Sequence, residues 1–182
     1  MNTFICLLRG INVSGHKLIK MKELQRMFES LGYLDVKTFI QSGNIVFKTK
    51  QIDIQILTNQ IHKQILVTFG FDVHVTIISS AELERIYKTN PFSINETFEI
   101  EKMLLTLLSG VPEKDKIDSL NMGNFGNDKH IIQGKELYLY CTDGYGKTKL
   151  SNNFIESKLK VSATTRNWKT VTELLKMTIL QN

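Results

Sequence analysis

Apolar residues fill consecutive positions in Thr3–Leu8 (TFICLL) and again in Met103–Leu108 (MLLTLL). Such runs read as strands covered on both faces, most simply by helices on one side and by the other half of the chain on the other. After the first run the period changes. Met21, Leu24, Met27, Phe28 and Leu31 recur at helical spacing and Gly32 follows as a C-terminal cap, which predicts a helix over Met21–Leu31. Val36–Ile40 and Ile45–Lys48 read as strands joined by the turn residues Gln41-Ser42-Gly43-Asn44. A second helix is expected over Ile52–Phe69, with Ile54, Ile61, Ile65 and Leu66 among its apolar positions, and Val73–Ile78 is a β-branched strand.

The resulting order, βαββαβ, is that of the ferredoxin-like split βαβ. Much of it recurs after a break at Asn90-Pro91-Phe92-Ser93: a strand at Met103–Leu108, a helix at Pro112–Leu120 opened by proline, a hairpin pair at Lys129–Ile132 and Glu136–Cys141, and a helix at Ser151–Leu159. Ser151 caps that last helix, with Leu150 and Ile155 spaced as a hydrophobic staple. A fourth strand near Val161 has room only to be short. A final helix over about Asn167–Met177, capped by Thr164 or Thr165, carries Trp168, Val171, Leu174 and Leu175 on one stripe. The expected fold class is therefore α+β: two ferredoxin-like halves, residues 1–90 and 98–182, with antiparallel or mixed sheets, packed into one compact unit with an additional C-terminal helix.

Composition narrows the class without naming a chemistry. A chain of 182 residues with 42% hydrophobic and 23% charged residues is an ordinary globular protein. No apolar run reaches the roughly 18 residues of a membrane span, and the N-terminus enters a strand pattern without a basic leader, so a cytoplasmic protein with no membrane partner is expected. Cys6 and Cys141 each lie inside an apolar strand and are expected to be reduced and buried. The net charge of +5 is uneven. Arg9, Lys17, Lys20, Lys22 and Arg26 face only Glu23, and Lys147, Lys149, Lys158, Lys160, Arg166 and Lys169 face only Glu156. Such segments attract phosphates, nucleotides or nucleic acid, or are simply a solvated surface.

The common chemical templates do not fit. Gly10-Ile11-Asn12-Val13-Ser14-Gly15 has the glycine spacing of a nucleotide P-loop, but His16 stands in the lysine position and Leu18 supplies no hydroxyl for magnesium. Gly146-Lys147-Thr148 has the ending, with Cys141 where the first glycine belongs. His16, His62, His74 and His130 have no histidine at metal-ligand spacing, and there is no C-x-x-C, H-E-x-x-H or G-x-S-x-G, so neither a metal nor a cofactor is implied. Phe4 and Phe47 occupy the places where an RNA-binding βαββαβ sheet shows its stacking aromatics, yet the double-faced strands leave no open sheet and the third strand lacks that module's basic-glycine-aromatic order.

The block LLRGINVSG, the later TFIQSGNIVF and the C-terminal SATTRNWKTVTELL together resemble the bacterial family known as domain of unknown function 1697, over almost the whole chain. That resemblance implies a duplicated α+β architecture of ferredoxin-like halves. It supplies no activity, cofactor or catalytic residue.

Candidate binding residues follow from where polar groups meet strand and helix ends. Arg9, Asn12 and Lys17 surround the glycine turn after the first strand, where main-chain amides and a guanidinium can face an anion. The alternative, slightly favoured because buried polar side chains most often serve backbone, is a loop in which Arg9 pairs with a carboxylate and Asn12 satisfies backbone groups. Gln41, Ser42 and Asn44 admit both ligand contact and turn chemistry. Lys147 and Lys149 precede one helix start and Arg166, Asn167 and Trp168 mark another, where free amides and cations favour anions; Trp168 also fits a core position. Three function classes remain: binding of a phosphorylated or otherwise anionic small molecule or nucleotide, an enzyme acting on such a ligand, and a nucleic-acid-binding or protein-interaction module. The first is the preferred reading, with nucleic acid ranked behind a small molecule.

Overall fold

In the computed structural model, which describes residues 1–93 and 97–179, the apolar runs become two four-stranded antiparallel sheets. The first half is β1 (Asn2–Leu8), α1 (Met21–Ser30), β2 (Leu34–Phe39), β3 (Asn44–Thr49), α2 (Ile54–Phe69) and β4 (Val75–Ser79), with sheet order β2-β3-β1-β4. The second half repeats the series as β5 (Met103–Leu108), α4 (Lys114–Asn121), β6 (Lys129–Gln133), β7 (Glu136–Tyr140), α5 (Asn152–Leu159) and β8 (Ala163–Asn167), with order β6-β7-β5-β8. Two further helices, α3 (Ser80–Lys88) and α6 (Trp168–Ile179), follow β4 and β8 directly. The fold is thus α+β in two similar halves. Contacts divide the chain into one unit of Met1–Arg85 with the segment from Glu173 onward, and a second of Ile86–Thr172. Residues 180–182, the end of the expected second half, lie outside the described residues.

Side-chain pattern explains the sheets. In the first, Phe4, Cys6 and Leu8 of β1 join Ile45 and Phe47 of β3 and Val75 and Ile77 of β4 in one core, closed by Leu24, Met27 and Phe28 of α1 and Leu57, Ile61 and Ile65 of α2. Phe47 sits edge-on to Phe28 at 5.4 Å and near Tyr33 at 4.7 Å, so it is a packing residue, as is the buried Phe4. In the second unit Leu104 and Leu108 of β5 pack with Leu137 and Leu139 of β7, Cys141, and Leu150, Ile155 and Leu159 around α5. Both cysteines are buried thiols outside any disulfide.

Local chemistry sets the ends of the elements. Asp53 caps α2 by accepting from the amides of Gln55 and Ile56, and Gly70 closes it in the left-handed conformation. Ser151 caps α5 as its sequence indicates, accepting from Phe154. Three expectations are corrected. Helix α3 was not anticipated, although Ser79 accepts from the Glu82 amide at 3.1 Å in the spacing of a capping box. Pro112 does not open α4; it precedes the N-cap, Glu113. β8 runs as far as Asn167, so Thr164 and Thr165 are strand residues, and Asn167 caps α6 by accepting from the Thr170 amide at 2.8 Å. The strand expected near Val161 is this five-residue β8.

Candidate functional site

The sheet order places the ends of β1 and β4 side by side. Leu8 pairs with Val75, and one residue further on the Arg9 amide donates to the His74 carbonyl at 3.0 Å. On the other flank of β1 the Leu8 amide donates to Gly43 in the β2–β3 turn at 2.7 Å. Gly43 has φ +74°, and a β-carbon there would stand 2.7 Å from Leu8 Cβ and 2.8 Å from Ile11 Cδ1. Only glycine lets the turn approach this closely.

From Arg9 the chain makes a twelve-residue loop, residues 9–20, before α1. Buried Ile11 and Ile19 anchor it to the core, and Asn12 holds its shape. The Asn12 side-chain amide donates to the carbonyls of Ile19 at 2.9 Å and Gln41 at 2.8 Å, while Oδ1 accepts from the Ile19 amide at 2.8 Å. Asn12 itself has φ +54°, which asparagine tolerates better than other residues with a side chain. Its donor and acceptor serve backbone. The neighbouring turn is built the same way: buried Asn44 donates to the Phe39 carbonyl at 3.1 Å and to Ser42 Oγ at 2.9 Å.

The folded loop carries Lys17 back over the ends of α2 and β4, where its ammonium donates to the Asp72 carbonyl. A cleft of about 510 Å³ results, lined by Arg9, Gly10, Lys17, Thr58, Asn59, His62, Asp72, His74 and Val75. Its volume is in the range of small-molecule sites. Asp72 Oδ1 lies 2.8 Å from His62 Nε2, and this hydrogen bond, helped by the nearby Lys17 and His74, holds the Asp72 carboxyl below the usual carboxylate range. The lining therefore has two permanent cations, two histidines that gain charge on protonation, and one carboxylate.

A second cleft, of about 340 Å³, lies in the second unit between residues 124–128 and 142–149 and is lined in part by Asp128, Asp143, Lys147 and Lys149. Asp128 is engaged there, accepting from the amide and hydroxyl of Thr142 at 2.8 and 3.1 Å. Arg166 stands in β8 and donates from Nη1 to the Thr165 carbonyl at 2.9 Å. Trp168 is only 3% exposed and stacks on Tyr87 with ring centroids 5.5 Å apart.

Of the residues singled out from sequence, Arg9 and Lys17 line one cleft and Lys147 and Lys149 the other. Asn12, Gln41, Ser42 and Asn44 make the scaffold beside the first cleft, and Asn167 is a helix cap. Thr58, Asn59, His62, Asp72 and His74 were missed. The signal for His74 was present: in a βαββαβ sheet the residue after the first strand must lie beside the residue before the fourth. Among the described residues no group of three or more histidine, cysteine or acidic side chains is arranged to hold a metal ion, and no helix is long and apolar enough to cross a membrane.

The family model described as "Protein of unknown function (DUF1697)" matches residues 1–138. The chain belongs to this family. The match takes in the whole of the first cleft and stops before the C-terminal SATTRNW block, so it is shorter than the resemblance read from the motifs. A solved structure, that of the conserved bacterial protein SP0830 from Streptococcus pneumoniae, is similar with a TM-score of 0.76 at 21% sequence identity, over 97% of this chain and 98% of that one. At that identity the likeness concerns the fold. No curated protein matches the chain.

Proposed function

We propose that this family member binds an anionic, phosphorylated small molecule in the cleft at the end of β1. The observation that carries the reading is the contrast between the two halves. Their strand registers align Leu7-Leu8-Arg9-Gly10 with Leu107-Leu108-Ser109-Gly110, since Leu8 pairs with Val75 as Leu108 pairs with Ala163. The same backbone bond closes both junctions: Arg9 to His74 at 3.0 Å, and Ser109 to Ser162 at 2.9 Å. The fold therefore makes this junction with two serines where the first half has an arginine and a histidine.

The other cleft residues also lie on what the first half has in addition. Its β1–α1 loop has twelve residues, 9–20, against five, 109–113, and this surplus brings Lys17. Helix α2 has 16 residues against eight in α5, and the longer helix holds His62. Polar elaborations that a sister half folds without, all meeting in one concavity, fit a ligand better than they fit a scaffold. Arginine supplies a planar fork for phosphate and lysine a point charge.

Thermal-shift and calorimetric titrations with inorganic phosphate, pyrophosphate and nucleotide monophosphates test the reading, because a ligand of the native state raises its melting temperature. At least one phosphorylated compound is expected to bind the native protein and to lose affinity in Arg9→Ser. Binding that Arg9→Ser leaves unchanged places the ligand elsewhere and rejects this cleft.

A further inference from the structure

The charge inventory of the cleft points to a narrower ligand class, an inference that rests on the binding reading above. We propose that the cleft is built for a terminal phosphate monoester on an uncharged polar body, and that it takes up protons from solvent as that ligand binds.

The charged and titratable groups lining the cleft come from every element around it: Arg9 from the end of β1, Lys17 from the following loop, His62 from α2, Asp72 from the α2–β4 connection, and His74 from the entry to β4. With both imidazoles neutral, Arg9 and Lys17 against Asp72 leave a formal charge of +1; with both protonated it is +3. Histidine is the side chain that changes charge between about pH 5 and 8. A carboxylate or a phosphodiester brings a single negative charge, which the standing +1 already balances. A phosphate monoester brings about −1.5 to −2 near pH 7. Its second charge has no partner unless an imidazole is protonated, and an added negative charge nearby favours that protonation. The cleft thus responds to the dianion in a way it does not respond to a monoanion.

The His62–Asp72 pair makes the response graded. His62 Nε2 and Asp72 Oδ1 stand 2.8 Å apart, so a ligand competes with this contact or leaves it intact and draws a proton onto His74, whose carbonyl accepts from the Arg9 amide. Either route raises the number of protons bound. Thr58 and Asn59 add neutral hydrogen-bonding groups to the lining, and about 510 Å³ is more than a bare phosphate fills, which leaves room for a polar, uncharged body such as a polyol or sugar.

The test is calorimetric titration of the full chain at pH 7.5 with glycerol 3-phosphate, dimethyl phosphate, acetate and glycerol, each in two phosphate-free buffers of different ionisation enthalpy. Glycerol 3-phosphate is expected to bind at least about tenfold more tightly than either monoanion, with a heat that depends on the buffer in the direction of proton uptake, and glycerol not at all. Affinity should rise several-fold from pH 8 to 6.5 and then flatten, because the ligand's own second pKa is about 6. The double variant His62→Asn/His74→Asn should lose the buffer dependence while Arg9 and Lys17 still retain weak binding. Equal affinity for acetate and glycerol 3-phosphate, or a heat independent of buffer in the native protein, overturns the inference while leaving an Arg9-dependent anion site standing. Failure of every anion to bind, or binding insensitive to Arg9→Ser, removes the site itself.

Discussion

The main-chain amide of Arg9 donates to the carbonyl of His74 across 3.0 Å, so two residues 65 positions apart in sequence sit on the same rung at the open end of the first sheet. The sister bond between Ser109 and Ser162 shows that neither side chain is a requirement of that rung.

Arg9→Ser therefore installs the second half's own residue at the equivalent place. The expected outcome is a melting temperature close to that of the native protein and a loss of about 1.5–3 kcal/mol in binding of a phosphorylated ligand, the worth of a hydrogen bond to a charged group. A large drop in thermal stability with affinity unchanged, once unfolding is taken into account, would mark Arg9 as a scaffold residue.

Asn12→Ala should act in the opposite manner. It removes three hydrogen bonds to Ile19 and Gln41 and leaves backbone groups of a partly buried loop without that partner, with a cost to folding of about 1–3 kcal/mol by the desolvation of those groups. Urea denaturation measures it. An unchanged midpoint would mean that water replaces the side chain at no cost.

Gly43→Ala should be the most damaging small substitution near the site. The left-handed backbone costs a residue with a side chain about 1–2 kcal/mol, and the new methyl meets Leu8 Cβ, which cannot rotate away, at 2.7 Å. Together with overpacking of about 1–3 kcal/mol, the expected loss is about 2–5 kcal/mol. Native-like denaturation of this variant would show that the turn can move off β1.

Alkaline pH should weaken the fold from both units. Burial pushes the Tyr33 phenol up to about 12, with the nearby Cys6 adding to it. Burial likewise pushes the Cys141 thiol up to about 11, against an opposing hydrogen bond with Thr148. In both cases the native state holds its proton more tightly than the unfolded chain, so stability is complete below the unfolded values of 10.0 and 9.0 and falls as pH rises through the native ones. Denaturation midpoints should be level to about pH 8 and decline from about pH 9 to 12, with tyrosinate absorbance appearing late. Thiol labelling of the native protein at pH 8 should be slow at both cysteines; rapid labelling would contradict their burial.

The order of strands and helices was legible because each half contains long, unambiguous apolar runs; β5 coincides with the run Met103–Leu108. Helix α3 escaped because it begins at the residue after β4, with no turn residues between to signal a new element, and only the Ser79–Glu82 spacing announces it. The cap of α6 was misplaced by three residues or fewer because β8 carries Thr164, Thr165 and Asn167, all capable caps, and the hydrogen-bond register with β5 decides which of them leaves the sheet last. The site was half legible. Arg9 and Lys17 stand out in a glycine-rich loop. His62 and Asp72 become neighbours through the left-handed turn at Gly70 that reverses the chain after α2, a geometry that no local spacing of histidines encodes.

The three hydrogen bonds of Asn12 also bear on timing. A loop fastened to the Ile19 and Gln41 backbone has lost its conformational freedom before any ligand arrives. Capture then requires no slow closing step: association should follow a single exponential whose rate grows linearly with ligand concentration and falls with added salt, as expected for electrostatically guided encounter with a rigid mouth.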